Sequence, residues 1–227
     1  MTFESAILFV DKAPGWTSHD VAAYIRNTLK IKKVGHSGTL DPMASGLLIV
    51  LLGKATKLQS NYLGLDKTYS AQITLGVETD TWDSEGQAVN TLPVPAFGKD
   101  DLDKVLKELT GKISHPIPFY SAKKVNGQAM YKMARLGEKI ERETEIEIYS
   151  WDKVKINGDK IEFEVSCSSG TYVRSLAYII GKKLGTAGHI SSLRRLKIGP
   201  YDVKDAISIE SIKKMKAEDI LKCVKIL

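Results

Sequence analysis

Residues 35–52 read Gly35-His36-Ser37-Gly38-Thr39-Leu40-Asp41-Pro42-Met43-Ala44-Ser45-Gly46-Leu47-Leu48-Ile49-Val50-Leu51-Leu52, a glycine-rich loop that runs directly into six apolar residues. Three glycines allow sharp turns and close approach of the backbone to a ligand. Pro42 pushes Asp41 out of the α region into an extended conformation. The apolar run predicts a buried strand, Leu47–Leu52, starting six residues after Asp41. A carboxylate held near such a wall needs a partner, or it protonates. Two readings of Asp41 stand side by side. It is a turn aspartate bonding its own backbone, or a carboxylate held for chemistry.

The pattern on either side of this loop sets the fold class. Ala6–Asp11 reads as a strand and Thr17–Lys30 as an amphipathic helix, with Val21, Tyr24, Ile25, Thr28 and Leu29 on one stripe. Thr17 or Ser18 supplies the cap. Lys67–Leu75 alternates, with Tyr69, Ala71, Ile73 and Leu75 on one face of a half-buried strand. Helices are predicted over Asp101–Leu109, Gln128–Leu136, Tyr172–Leu184 and about Ser208–Met215. Residues 113–126 read as an exposed loop. Val154–Ile156 and Ile161–Val165 flank Asn157-Gly158, a strong hairpin signal. His189–Ile198 is a further strand, and an apolar run, Val224–Leu227, closes the chain. Strands and helices interleave without regular βαβ spacing. That argues for an α+β fold whose mixed central sheet is largely antiparallel and flanked by helices.

The chain has 227 residues, two cysteines and a net charge of +6. Its charged and apolar fractions are those of a globular protein and exclude a fibrous or disordered class. No apolar run is long enough for a membrane helix and no secretory signal is visible, so a cytoplasmic protein is expected. Cys167 and Cys223 show no C-x-x-C spacing, and the four histidines show no i, i+4 pairing; neither a disulfide framework nor a metal site is expected. P-loop, dinucleotide-binding and nucleophile-elbow signatures are also missing, so nothing implies a nucleotide cofactor. Basic side chains cluster in residues 171–204, which hold Arg174, Lys182, Lys183, Arg194, Arg195, Lys197 and Lys204 against Asp202 alone. Further basic blocks are Arg26, Lys30, Lys32 and Lys33, and Lys123, Lys124, Lys132, Arg135 and Lys139. Such clustering suits a polyanion such as nucleic acid or, equally, a set of solvated faces.

Arg174 falls in the first turn of its helix, where the macrodipole disfavours a cation. Violations of this kind gather at functional sites. Arg174 is therefore either a surface arginine or the partner of a buried carboxylate, with Asp41 the leading candidate. Tyr69 is either core or a ring for stacking on a base. Lys67 shares its face, near a phosphate or at the strand end.

These segments together resemble the TruB family of tRNA pseudouridine synthases. Gly35–Pro42 with Ala44–Leu48 resembles the family's catalytic motif, and Asp11-Lys12 with Gly15-Trp16-Thr17-Ser18 its N-terminal motif. Lys67-Thr68-Tyr69 resembles the strand bearing the active-site tyrosine. Pro118–Lys124 with Gly127, Tyr131 and Ala134-Arg135 resembles an RNA-clasping insertion, placed here at about 113–140. Cys167–Leu176 resembles the arginine motif, and Gly188-His189 with Leu193–Leu196 the last motif. The resemblance runs from about residue 6 to about residue 210.

The resemblance implies a pseudouridine-synthase fold in a single catalytic domain, residues 1–227, without the C-terminal PUA domain of many relatives. It implies conversion of uridine 55 to pseudouridine in the T loop of tRNA. Asp41 would be the catalytic aspartate, Arg174 its partner and Tyr69 the ring stacked on the flipped uracil. His36 would insert into the T loop, while Lys12, Lys67, Lys123, Tyr172, Arg194 and Arg195 would contact RNA. A monomer with no cofactor, no metal and no obligate protein partner is expected. The alternative is a non-enzymatic RNA-binding, tRNA-folding chaperone on the same scaffold.

Overall fold

Alternation of side chains along two adjacent apolar strands organises the part of the protein that holds Asp41. The computed structural model describes residues 4–125, 127–138 and 140–227. Asn126, the last residue of the expected 113–126 loop, and Lys139 of the third basic block lie outside the described residues. In chain order the elements are β1 (Ser5–Lys12), α1 (Ser18–Leu29), β2 (Val34–His36), β3 (Ser45–Gly53), α2 (Gln59–Leu63), β4 (Lys67–Leu75), β5 (Val77–Thr79), β6 (Ala88–Thr91), α3 (Lys99–Glu108), β7 (Gly111–Pro116) and β8 (Lys124–Val125). They continue with β9 (Gln128–Ala129), α4 (Met130–Arg135), β10 (Glu143–Asn157), β11 (Lys160–Cys167), α5 (Val173–Lys183), β12 (Gly188–Ile198), β13 (Tyr201–Asp202), β14 (Ile207–Ser208), α6 (Ile209–Lys214), α7 (Ala217–Lys222) and β15 (Lys225–Ile226). The fold is α+β, with a mixed sheet flanked by helices. Among the described residues, no helix is long and apolar enough to cross a membrane.

The chain forms two compact units, one of residues up to Tyr69 together with Arg194–Leu227, the other of Ser70–Leu193. In the first unit β1 pairs antiparallel with β3 along its length, from Ser5↔Gly53 to Lys12↔Gly46. β14 adds parallel to β1, β15 adds antiparallel to it, and β2 pairs with the far end of β3. Side chains then divide by parity. Ala6, Leu8, Val10, Leu48, Val50 and Leu52 meet Val21 and Ile25 of α1, Ile209 and Ile212 of α6 and Ile220 of α7. Ile7, Phe9, Leu47, Ile49 and Leu51 meet Ala55, Tyr62 and Ile198 on the opposite face. Covering both faces explains why Leu47–Leu52 is uninterrupted rather than alternating. Helix α1 starts where expected, with Thr17 accepting from the Asp20 amide and Asp20 returning the bond in a capping box.

Arg194 and Arg195 of β12 pair parallel with Ser45 and Gly46 of β3. Gly46 lies at φ +105°, and a Cβ placed there would sit 2.2 Å from the Arg195 carbonyl oxygen. Neither backbone can yield, because both are in the sheet. Gly46→Ala is accordingly expected to cost about 4 kcal/mol or more, read as loss of soluble protein or of a cooperative thermal transition. A wild-type-like melting temperature would contradict this account.

The second unit carries the strand order β12–β4–β11–β10–β7. The Asn157-Gly158 hairpin forms as expected, with Gly158 at φ +63°. The exposed loop expected from residue 113 is corrected, because Gly111–Pro116 is a strand paired with Glu143–Ile148 of β10. Its short, half-polar sequence lacks a clean alternation, so only the pairing reveals it. Helix α4 is shorter than expected, since Gln128 and Ala129 pair back onto Lys124 and Val125.

Candidate active site

The loop that bears Asp41 is fixed through its backbone from four directions. The Ser37 amide donates to the Ile49 carbonyl at 3.0 Å. The Leu40 amide donates to Ser18 Oγ at 2.8 Å, from the start of α1. The Pro42 carbonyl accepts from the Gly15 amide at 2.9 Å and from Lys12 Nζ at 3.1 Å. The Gly38 carbonyl accepts from Arg195 Nη2 at 3.2 Å. A tight turn, the Ala44 amide on the Asp41 carbonyl at 3.1 Å, closes it onto β3. Residues on both sides of Asp41 are thus pinned, which limits the motion of its half-buried carboxylate. This is the preorganisation that chemistry at a fixed position requires.

Three cations expected against RNA are turned into the protein instead. Lys12 is fully buried, and its ammonium donates to the carbonyls of Ala13, Trp16 and Pro42. Lys67 is 7% exposed and donates to the carbonyls of Leu63 and Leu65. Arg195 is 1% exposed; its Nε donates to the Leu47 carbonyl at 2.8 Å. These groups have no surface to offer a phosphate. They donate to backbone carbonyls of the loops and turns around them. Parity along the strands carried the signal: Lys12 follows Ala6, Leu8 and Val10 on one face, and Arg195 follows Leu193.

Arg195 also bonds the side chain of Tyr69 and feels the Asp41 carboxylate; burial lowers its pKa, and these two neighbours oppose that fall. Within the first unit it therefore links the Asp41 loop to the Tyr69 ring, which is buried on β4. His36 lies on β2 opposite Val50, half-buried, with its Nδ1 enclosed and lacking a hydrogen-bond partner. Burial, then the Arg195 charge, then His19 hold its pKa below the ordinary value. Arg194 remains partly exposed, with a bidentate bond to Asp11 at 2.7 and 3.0 Å.

In the second unit Arg174 occupies the first turn of α5, as expected, and is buried. Its Nη1 donates to the Thr81 carbonyl at 2.9 Å and lies 3.5 Å from Asp83 Oδ2; its Nη2 donates to the Tyr120 carbonyl at 3.0 Å. Asp83 is buried too, and accepts from Thr81 Oγ1 and the Glu85 amide. Sequence pattern alone does not single out Asp83. Its signal was the turn-rich run Thr79–Gly86, where an aspartate can brace its own loop. Tyr172, half-buried, is the N-cap residue of α5 and donates its amide N–H to His115 Nε2 at 3.0 Å. Lys123 is exposed. An open cavity of about 1270 Å³ in this unit is lined by Trp82, Phe119, Arg142, Tyr178 and Lys183 among others. It holds none of Asp41, Tyr69 and Arg174, so size alone does not mark the site. Among the described residues, no group of three or more His, Cys, Asp or Glu side chains is placed to hold a metal ion.

Comparisons with known proteins now bear on this arrangement. Residues 26–173 match the TruB family pseudouridylate synthase N-terminal domain, and residues 174–224 match the tRNA pseudouridylate synthase B C-terminal domain. The chain is 43% identical over 213 residues to tRNA pseudouridine synthase B of Aromatoleum aromaticum, covering 93% of this chain and 69% of that protein. It is 39% identical over 217 residues to tRNA pseudouridine synthase B of Opitutus terrae, covering 95% and 90%. Among solved structures it resembles a chain of a Cbf5-Nop10-Gar1 complex, with a TM-score of 0.74 and 29% identity over 98% of this chain and 60% of that one. It also resembles a chain of an H/ACA RNP bound to a substrate RNA containing 2′-deoxyuridine, with a TM-score of 0.71 and 27% identity over 98% and 59%. This chain spans about 60% of those solved chains. The chain belongs to the TruB family of pseudouridylate synthases and is an enzyme that isomerises uridine in tRNA.

Proposed function

We propose that this enzyme acts on uridine 55 in the T loop of tRNA, with Asp41 as its catalytic aspartate. The observation that carries the reading is the pinned loop, in which Leu40 and Pro42 are held by Ser18, Gly15 and Lys12. A turn aspartate on an idle loop has no need of a buried lysine and a buried arginine to fix its neighbours. The reaction breaks the bond from C1′ to N1, rotates the uracil and joins C1′ to C5. The C5 proton leaves to solvent and N1 gains one, so electrons balance without a redox partner or cofactor. The base must first leave the stack, at a cost of a few kcal/mol. Tyr69 stacks on it, worth about 1–3 kcal/mol. Arg174 serves as a further residue of the reacting set, with Asp83 bracing it. His36, Lys123, Tyr172 and Arg194 make the RNA contacts.

The likeness to Cbf5 favours a second reading, in which a guide RNA and partner proteins select the uridine. Identity of 43% to a tRNA enzyme against 29% to a chain of the Cbf5-Nop10-Gar1 complex supports the tRNA reading; the proposal takes the enzyme as a monomer. Tritium release from 5-tritiated uridine in an unmodified tRNA transcript tests it. Release near one per tRNA is expected from the protein alone, and none from a transcript with cytidine at position 55. Release from that control, or a requirement for added RNA, would overturn the assignment.

A further inference from the structure

His115 is a buried titratable side chain that the chemistry above leaves unused. It stands on β7 opposite Thr144 of β10, fully buried. Its Nδ1 lies 3.2 Å from the Thr144 carbonyl oxygen, and its Nε2 lies 3.0 Å from the Tyr172 amide nitrogen. A backbone amide can only donate, so Nε2 must present its lone pair. A carbonyl can only accept, so Nδ1 must carry the proton. Both partners therefore select one neutral tautomer. An imidazolium would set a second N–H against the Tyr172 amide, and that bond would be lost.

What the bond holds is the entry to α5. The Tyr172 carbonyl accepts from the Ser175 amide at 3.0 Å, opening the helix two residues before Arg174. The residue after His115 completes the grip, because the Pro116 carbonyl accepts from Ser175 Oγ at 2.6 Å. His115 and Pro116 thus fix the residues on both sides of Val173-Arg174. The His115 and Tyr172 rings also pack with centroids 5.9 Å apart. We propose that His115 is a positioning residue, a neutral bridge from Thr144 to Tyr172 that sets Arg174 in place, and that its protonation releases Arg174 and lowers turnover in acid. This inference rests on reading Arg174 as part of the reacting set.

Burial pushes the imidazole below its ordinary value of 6.5, while the Thr144 and own-backbone bonds and Glu143 oppose that fall. Glu143 of β10 is the charged group facing the ring, and its carboxylate also accepts from Ser114 Oγ. On α5, Arg174 is engaged by Asp83, and Tyr172 is the other titratable group beside the ring. A depressed value means that the unfolded chain takes up the proton first. The stability from this bridge is complete above pH 6.5 and erodes as pH falls toward the depressed value.

His115→Gln is the deciding variant. A carboxamide offers an oxygen to the Tyr172 amide and an N–H to the Thr144 carbonyl, and it does not titrate. Turnover of tritiated tRNA is measured between about pH 5 and pH 8. Wild type is expected to lose kcat on the acid side. His115→Gln should match wild type within about threefold at neutral pH and lose that limb, with KM unchanged in both. His115→Phe, which fills the space without the bonds, should lose about tenfold in kcat at neutral pH. The second measurement is the imidazole ¹⁵N pattern of the wild-type enzyme, which should show protonated Nδ1 and bare Nε2 at neutral pH. The reverse tautomer, or an acid limb that persists in His115→Gln, overturns the proposal. Arg174→Lys separates the two claims. If it keeps full activity, the reading of Arg174 fails, and the tautomer still reports on the bridge.

Discussion

Asp41→Asn is expected to abolish tritium release while leaving the fold and RNA binding intact. The substitution keeps the shape of the side chain and removes its charge, so it removes nucleophile and base together. Losing the central reactive group of an enzyme typically costs on the order of 10⁴-fold or more in kcat. The geometry explains why nothing else should change. The bonds that pin the loop run through its backbone: Ser37 to Ile49, Leu40 to Ser18, Pro42 to Gly15 and Lys12, and Gly38 to Arg195. None of those bonds uses the Asp41 carboxylate. The thermal transition should therefore stay cooperative, shifted only by what the carboxylate gives the buried Arg195 charge. Affinity for unmodified tRNA should stay within a few-fold. Residual turnover within about tenfold of wild type would overturn the role of Asp41. Loss of binding in step with turnover would instead make its carboxylate part of RNA recognition.

The sequence reached the first unit more fully than the second, for physical reasons. Two apolar strands and an amphipathic helix announce themselves through period and run length, so β1, α1 and β3 fell close to their observed bounds. The Asn157-Gly158 hairpin did so through turn chemistry. Strand β7 did not, because its residues alternate weakly and its pairing with β10 is a long-range event that no local pattern encodes. Helix α7 escaped as well; Ala217–Lys222 is short and offers one buried side chain, Ile220.

The site divides along the same line. Asp41 and Arg174 stood out because each breaks a local preference, a carboxylate beside an apolar run and a cation at a helix start. For Lys12, Lys67 and Arg195 the resemblance implies contact with RNA, whereas the structure turns their side chains inward onto backbone carbonyls. Asp83 and His115 depend on partners far along the chain, Asp83 on Arg174 and His115 on Thr144 and Tyr172. No spacing rule places such partners.

Replacing Arg195 should produce the largest combined loss of stability and rate, and its pattern separates two roles for a basic side chain. The guanidinium donates from Nε to the Leu47 carbonyl and from Nη2 to the Gly38 carbonyl, and it bonds Tyr69. Arg195→Leu takes the guanidinium's bonds from the Leu47 and Gly38 carbonyls, each lost bond costing about 1–3 kcal/mol. Together with the lost contacts, destabilisation of about 3–5 kcal/mol is expected by chemical denaturation. Arg195→Lys keeps the charge but replaces a planar fork with a single ammonium, which cannot reach three acceptors lying in different directions. That variant should fold, lose about 10²-fold in kcat as the Gly38 turn and the Tyr69 ring loosen, and bind tRNA normally. An arginine that neutralised a phosphate would behave differently. Its loss would weaken binding across RNA sequences and reduce the salt slope of affinity by about 1. A kcat defect with an unchanged salt slope therefore identifies Arg195 as an internal brace. A changed slope with unchanged kcat would return it to the RNA-binding surface and sink the account of how this loop is held.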